Sequence, residues 1–205
     1  MKKNNQRTAI FLGLTSALVM CSAQVLAQAG NTEYGTDALF SNTTGEYNSA
    51  FGEASLLSNT TGNYNTASGY KSLYSNTYGG FNTATGTNSL YYNTTGYWNT
   101  ASGYVSLRNN TTGSDNTGSG AYSLYANTTG NRNTASGSDS LRSNTTGSNN
   151  TSSGFDSLYL NTTGSGNTAS GASSLYFNTT GNDNTASGYN SLRNNTIGTT
   201  TPPVA

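Results

Sequence analysis

Hydroxyl groups dominate the side-chain chemistry of this 205-residue chain, and the residues that would activate them are missing. A serine or threonine becomes a nucleophile only beside a general base. The chain has no histidine, and its single cysteine is Cys21. The acids Asp115, Asp139, Asp156 and Asp183 fall at differing positions of the repeat described below, so no carboxylate pair recurs. The calcium-binding pattern G-G-x-G-x-D is absent. The expectation is a non-enzymatic protein with no cofactor and no metal.

What does recur is a pair of hydroxyls two residues apart: Thr66 and Ser68, Thr83 and Thr85, Thr100 and Ser102, Thr117 and Ser119, Thr134 and Ser136, Thr151 and Ser153, Thr168 and Ser170, Thr185 and Ser187. On a strand such a pair lies about 7 Å apart on one face, and stacked strands repeat at about 4.8 Å. Eight stacked pairs make a flat, uncharged hydroxyl grid. The grid resembles the Thr-x-Thr faces of β-solenoid ice-binding proteins, which makes it a candidate ice or interaction face. A second column reads Tyr74, Tyr91, Arg108, Tyr125, Arg142, Tyr159, Tyr176 and Arg193. Stacked Tyr and Arg can pair through ring and cation–π contacts. This candidate aromatic and arginine stripe suits a glycan, a protein partner or its own ladder.

Both columns follow from an internal repeat, the first thing to seek in a biased sequence. Ten units of 17 residues run from Asn31 to Thr200 with no insertion, on the consensus N-T-A-S-G-x-x-S-L-x-x-N-T-T-G-x-x. Six positions never vary: Asn31 to Asn184, Gly35 to Gly188, Leu39 to Leu192, Asn42 to Asn195, Thr43 to Thr196 and Gly45 to Gly198. Seventeen residues are too few for helical or leucine-rich repeats, and two glycines per unit oppose a helix. Disorder is disfavoured by the strict register and the low net charge. The reading is all-β: a parallel β-solenoid, or β-roll, of ten coils with two or three short strands each. Ala67 and Leu73 should point inward, with Thr66, Ser68, Ser72 and Tyr74 outward. The glycines suit positive φ or close backbone approach, and the asparagines suit amide ladders between coils. The Asn-Thr-Thr triplets, such as Asn59-Thr60-Thr61, match a glycosylation pattern but read as inward ladder residues. One Leu and one Ala per coil are a thin core, which predicts self-association as a homo-oligomer.

The half-unit G-x-x-N-T-A-S-G-x-x-S-L resembles the YadA-like (Hep/Hag) head repeat of trimeric autotransporter adhesins, with Gly62, Asn65, Ala67, Gly69 and Ser72 at matching spacing. The resemblance spans all ten units. It implies a left-handed β-roll, a trimer, and an adhesive role at a bacterial surface, against a host or matrix partner. Thr66 and Ser68 stand where that family usually carries Val and Ile, so a trimer packed there would have a polar interior. No stalk or membrane barrel follows before Ala205, so a released head-like module is expected.

Residues 1–29 read as an export signal. Lys2, Lys3 and Arg7 precede an apolar stretch from Ala9 to Met20, and Ala27-Gln28-Ala29 offers a cleavage site. The stretch is short for a membrane span; a lipidated Cys21 is the alternative. Beyond residue 29, five basic residues face eight acidic ones, a net charge of −3. That opposes binding to nucleic acid or anionic membranes. The expected function is therefore a secreted structural or adhesive module. Ice binding is the principal alternative, and a fibre-forming functional amyloid the second. Residues 201–205 form a tail whose Pro202-Pro203 would blunt the open end, and Tyr34 and Phe51 are expected to close the other.

Overall fold

The computed structural model describes residues 30–198. The expected export signal, residues 1–29, and the tail, residues 201–205, lie outside the described residues. Ten three-residue strands, β1 (Thr32–Tyr34), β2 (Ser49–Phe51), β3 (Thr66–Ser68), β4 (Thr83–Thr85), β5 (Thr100–Ser102), β6 (Thr117–Ser119), β7 (Thr134–Ser136), β8 (Thr151–Ser153), β9 (Thr168–Ser170) and β10 (Thr185–Ser187), form one parallel sheet in sequential order. Every pairing joins residues 17 apart, as in Thr66↔Thr83, Ala67↔Ala84 and Ser68↔Thr85. The chain is thus a β-solenoid, with one strand per coil where two or three were expected.

The middle residue of each strand points inward. Ala67, Ala84 and Ala101 are fully buried, between hydroxyl residues that face out. Leu56, Leu73 and their equivalents through Leu175 form a second buried row against the alanines. The leucines do not lie on strands. Leu73 has φ +50° and Lys71 φ +53°, and the same left-handed backbone recurs at both positions in every coil. The period-2 rule holds only for extended chain, so the expectation that Ser72 faces outward is corrected. Ser72 is as buried as Leu73, and its hydroxyl donates to Gly69 O at 3.1 Å. Left-handed φ costs a non-glycine residue about 1–2 kcal/mol. In this conformation the amides still reach neighbouring coils: Leu73 N–H donates to Ser89 O at 3.0 Å and Lys71 N–H to Glu53 O at 3.0 Å.

Each coil from the second to the ninth buries two asparagines as well. Asn65 Nδ2 donates to Asn48 Oδ1 at 3.1 Å and to Gly79 O at 2.9 Å. Asn76 Nδ2 donates to Asn59 Oδ1 at 2.8 Å and to the same Gly79 O at 2.9 Å. The two ladders therefore converge on one carbonyl per coil. That convergence accounts for the second glycine column. A Cβ at Gly79 would come within 2.4 Å of Asn76 Oδ1 and 2.5 Å of Gly96 O. The first glycine column is held by conformation too: Gly69 has φ +134°, and its Cβ would meet Gly86 backbone at 2.8 Å. The invariant Thr column has its own reason. Thr77 O accepts the amides of Thr60, Thr61 and Gly62 and the Thr60 hydroxyl, at 3.0 to 3.3 Å. Among the described residues, one buried side-chain polar atom lacks a partner, Asn184 Oδ1 in the last coil. The hydrogen-bonded lattice supplies much of what the small apolar core lacks.

Candidate interaction faces

The strands set the first face. Thr66 and Ser68 through Thr185 and Ser187 stand on the outer side of the sheet, all exposed except half-buried Ser68. Thr83, Thr85, Thr100, Ser102, Thr117, Ser119, Thr134, Ser136, Thr151, Ser153, Thr168 and Ser170 lie between them in register. No charged side chain enters this grid from β3 to β10. At its upper end, Tyr34 and Phe51 continue the outer columns at 78% and 43% exposure. They stand on the sheet surface, so the expectation that they close the end of the coil is corrected. Register places Glu33, opposite Ala50, on the inner side of the first strand.

Leu73 and its equivalents position the second face, because the residue after each leucine turns outward at the same height. Tyr74 and Tyr91 stack at 4.8 Å with nearly parallel planes, and Arg108 lies 5.3 Å from the Tyr91 ring. Further along, Arg142 sits 6.0 Å from Tyr125 and 5.6 Å from Tyr159. Tyr159 stacks on Tyr176 at 5.0 Å, and Arg193 caps Tyr176 at 4.9 Å. All eight side chains are half-buried. Neighbouring columns widen the stripe. Tyr92 packs edge-on against Tyr91, Phe177 against Tyr176, and Lys71 lies over Tyr70 and Tyr74.

Electrostatics on this face are local. Arg142 Nη1 binds Asp139 Oδ1 and Tyr159 Oη, each at 3.0 Å. Burial raises the Asp156 carboxyl above the usual carboxylate range, helped by Asp139 and countered by Arg142. Such a raised pKa contributes stability at acid pH that is lost as pH rises through the folded-state value. Burial also raises the Tyr176 phenol. The Tyr70 phenol, through a hydrogen bond and its charge, raises Lys71.

A third column escaped the reading of the sequence. Tyr47, Tyr64, Phe81 and Trp98 close successive coils and stack face to face at 5.0, 4.9 and 5.8 Å, all exposed. The signal was present, since four aromatics in a row occupy the last position of the unit. They too have left-handed backbone, φ +54° to +58°. Beyond them, Asp115, Asn131, Arg132, Ser148 and Asn149 border a shallow open depression. Among the described residues no three His, Cys, Asp or Glu side chains gather, and no helix is long and apolar enough to cross a membrane. No protein-family profile, curated protein or solved structure matches the chain.

Proposed function

We propose that this protein is a secreted structural or adhesive module of a bacterial surface, working as a rigid display rod rather than as a catalyst. The observation that carries the reading is the unbroken 17-residue register of ten coils, which repeats any surface side chain along one line. Repetition of weak contacts at fixed spacing gives avidity without a deep pocket. The buried ladders make the rod stiff, so the spacing is kept. The likeness of its half-unit to adhesin head repeats supports the same reading. Self-association as a homo-oligomer, with a trimer first in line, belongs to the proposal, and the flat hydroxyl grid is its seam. Saturable binding of the full chain to bacterial, host-cell or matrix-coated surfaces is the expected result. A folded chain that binds none of these surfaces overturns it.

The uncharged grid on β3 to β10 favours ice binding as a second reading. Replacing Thr117 by Tyr separates the two. On an ice face the ring abolishes most of the thermal hysteresis and leaves the fold intact. In a seam it overpacks the contact, at about 1–3 kcal/mol, and light scattering coupled to sizing records a smaller particle. A chain that is monomeric at micromolar concentration before and after the change, and has no hysteresis, eliminates both roles for this face.

A further inference from the structure

The charges of this rod are not scattered. Of the five basic side chains among the described residues, four (Lys71, Arg108, Arg142 and Arg193) lie on the aromatic stripe, and only Arg132 lies elsewhere. From the third coil to the tenth the stripe carries two carboxylates, Asp139 and Asp156, against those four cations. The stripe is therefore cationic on a chain that is acidic overall. We infer that it is a binding track for a linear acidic polysaccharide lying along the solenoid axis. The inference deepens the adhesive reading and rests on it.

Three features select this occupant. First, spacing: Arg108, Arg142 and Arg193 share one column, two and three coils apart. At about 4.8 Å per coil that places cations about 10 and 14 Å apart. A polyuronate, with a carboxylate on every sugar and each sugar about as long as one coil is tall, presents a carboxylate to each of these cations. Duplex DNA carries a charge every ~1.7 Å and would be repelled by the acidic remainder of the chain. Second, ring geometry: single-stranded nucleic acid binds by stacking its bases on open aromatic faces. Here the faces are consumed by coil-to-coil contacts, Tyr74 on Tyr91 and Tyr159 on Tyr176. Ring edges and phenols remain, and these meet sugar hydroxyls and C–H groups. Third, preorganisation: each guanidinium is already held over a ring, Arg108 over Tyr92 at 4.9 Å and Arg193 over Phe177 at 4.9 Å. Little side-chain entropy is then lost when a carboxylate docks.

Isothermal titration of the full chain with polygalacturonate tests this, with dextran as neutral control and oligothymidylate as nucleic-acid control. The expected result is saturable polygalacturonate binding that weakens with salt and no binding to either control. Changing Arg108, Arg142 and Arg193 together to Gln weakens it at least tenfold, with the circular-dichroism spectrum unchanged, and Arg132→Gln leaves it intact. Should the triple variant unfold, Arg193→Gln alone, at the end of the ladder, is expected to weaken binding about threefold. A folded wild type that ignores polygalacturonate, variants that bind it equally, or tighter binding of oligothymidylate overturns the inference. The cell-surface assay separates it from the broader reading. A triple variant that still adheres sinks the track and leaves adhesion standing. A wild type that binds polygalacturonate but no cell surface sinks adhesion and leaves the track.

Discussion

At the residue scale, the inner column of the sheet shows how departures from the consensus are absorbed. Three coils lack its alanine: the first, with Glu33, and the two with Gly118 and Ser152. Ser152 buries a hydroxyl, and Ser140 donates to it at 2.8 Å, while Ser152 itself donates to Ser157 O at 2.9 Å. Gly118 leaves space that Ser106 enters, donating to Gly118 O at 3.0 Å. A Cβ at Gly118 would lie 2.6 Å from Ser106 Oγ. That atom has an alternative, since the serines of its column elsewhere bond the glycine three residues back, as Ser89 does with Gly86 O at 2.9 Å. Gly118→Ala should therefore rotate Ser106 and stabilise the fold by about 0.5–1 kcal/mol, the usual gain over a strand glycine, read as a higher denaturation midpoint. The asparagine ladder should behave in the opposite way. Asn93 Nδ2 donates to Asn76 Oδ1 at 2.8 Å and to Gly96 O at 3.1 Å. Asn93→Asp turns that buried donor into an acceptor facing two acceptors and adds an unpaired charge. A loss of about 3 kcal/mol or more is expected. The loss should shrink in acid, because a protonated carboxyl regains one donor. A pH-independent loss would mean that cavity or backbone effects dominate.

At the scale of the element, what the sequence discloses depends on which segments are extended. The strand segment was legible residue by residue, Thr66 and Ser68 out and Ala67 in, but the count of one strand per 17 residues was not, because the rest of each coil is held by left-handed turns. The Leu73 row was legible as buried, and both asparagine columns as ladders. The backbone around Leu73 was not, because a left-handed leucine has no residue-type signature of the kind that glycine or asparagine provides. Ser72 did carry a signal. Its column is Ser in nine of ten units, more regular than a solvated position needs to be. The first edge of the sheet carries a charge. Glu33 takes the inner position of β1 where other strands carry Ala, Ser or Gly. A charge at the inner register position of an edge strand, exposed at the open end of the coil, opposes pairing with another chain. Glu33→Ala should therefore promote end-to-end association, seen as longer particles in light scattering and electron microscopy. Unchanged particle length would assign protection of this end to other residues. The same carboxylate weighs against the fibre-forming alternative for the unaltered protein.

At the scale of the whole molecule, the solenoid is quasi-one-dimensional, and stability in such folds is close to a sum over units and their nearest-neighbour contacts. Its three outer columns, its two asparagine ladders and its leucine row are all consequences of one number, the 17-residue period. That makes register the property to perturb. Removing residues 116–132, one full unit, joins Asp115 to Asn133 and returns every later residue to its own column. The strand with Gly118 is lost, Thr100 then pairs with Thr134, and Asn99 Oδ1 receives the amides of Asn133 in place of those of Asn116. A folded nine-coil rod is expected, shorter by about 4.8 Å and only slightly less stable. Removing residues 116–133 takes one residue more. It deletes Asn133, and the seventh coil is then one residue short, with no loop able to supply the difference. Thr134 must either stretch to the position of a ladder asparagine or stay in place and leave Asn99 Oδ1 without its donors. Leaving a buried acceptor unpaired costs about 1–3 kcal/mol, and the mismatch propagates to the coil below. The longer deletion should therefore unfold at a clearly lower denaturant concentration and with a broader transition, whereas the shorter one keeps a single sharp transition. Equal stability of the two deletions would show that coils tolerate a change of period, and the register argument for the ladders and for the spacing of the binding track would fail with it.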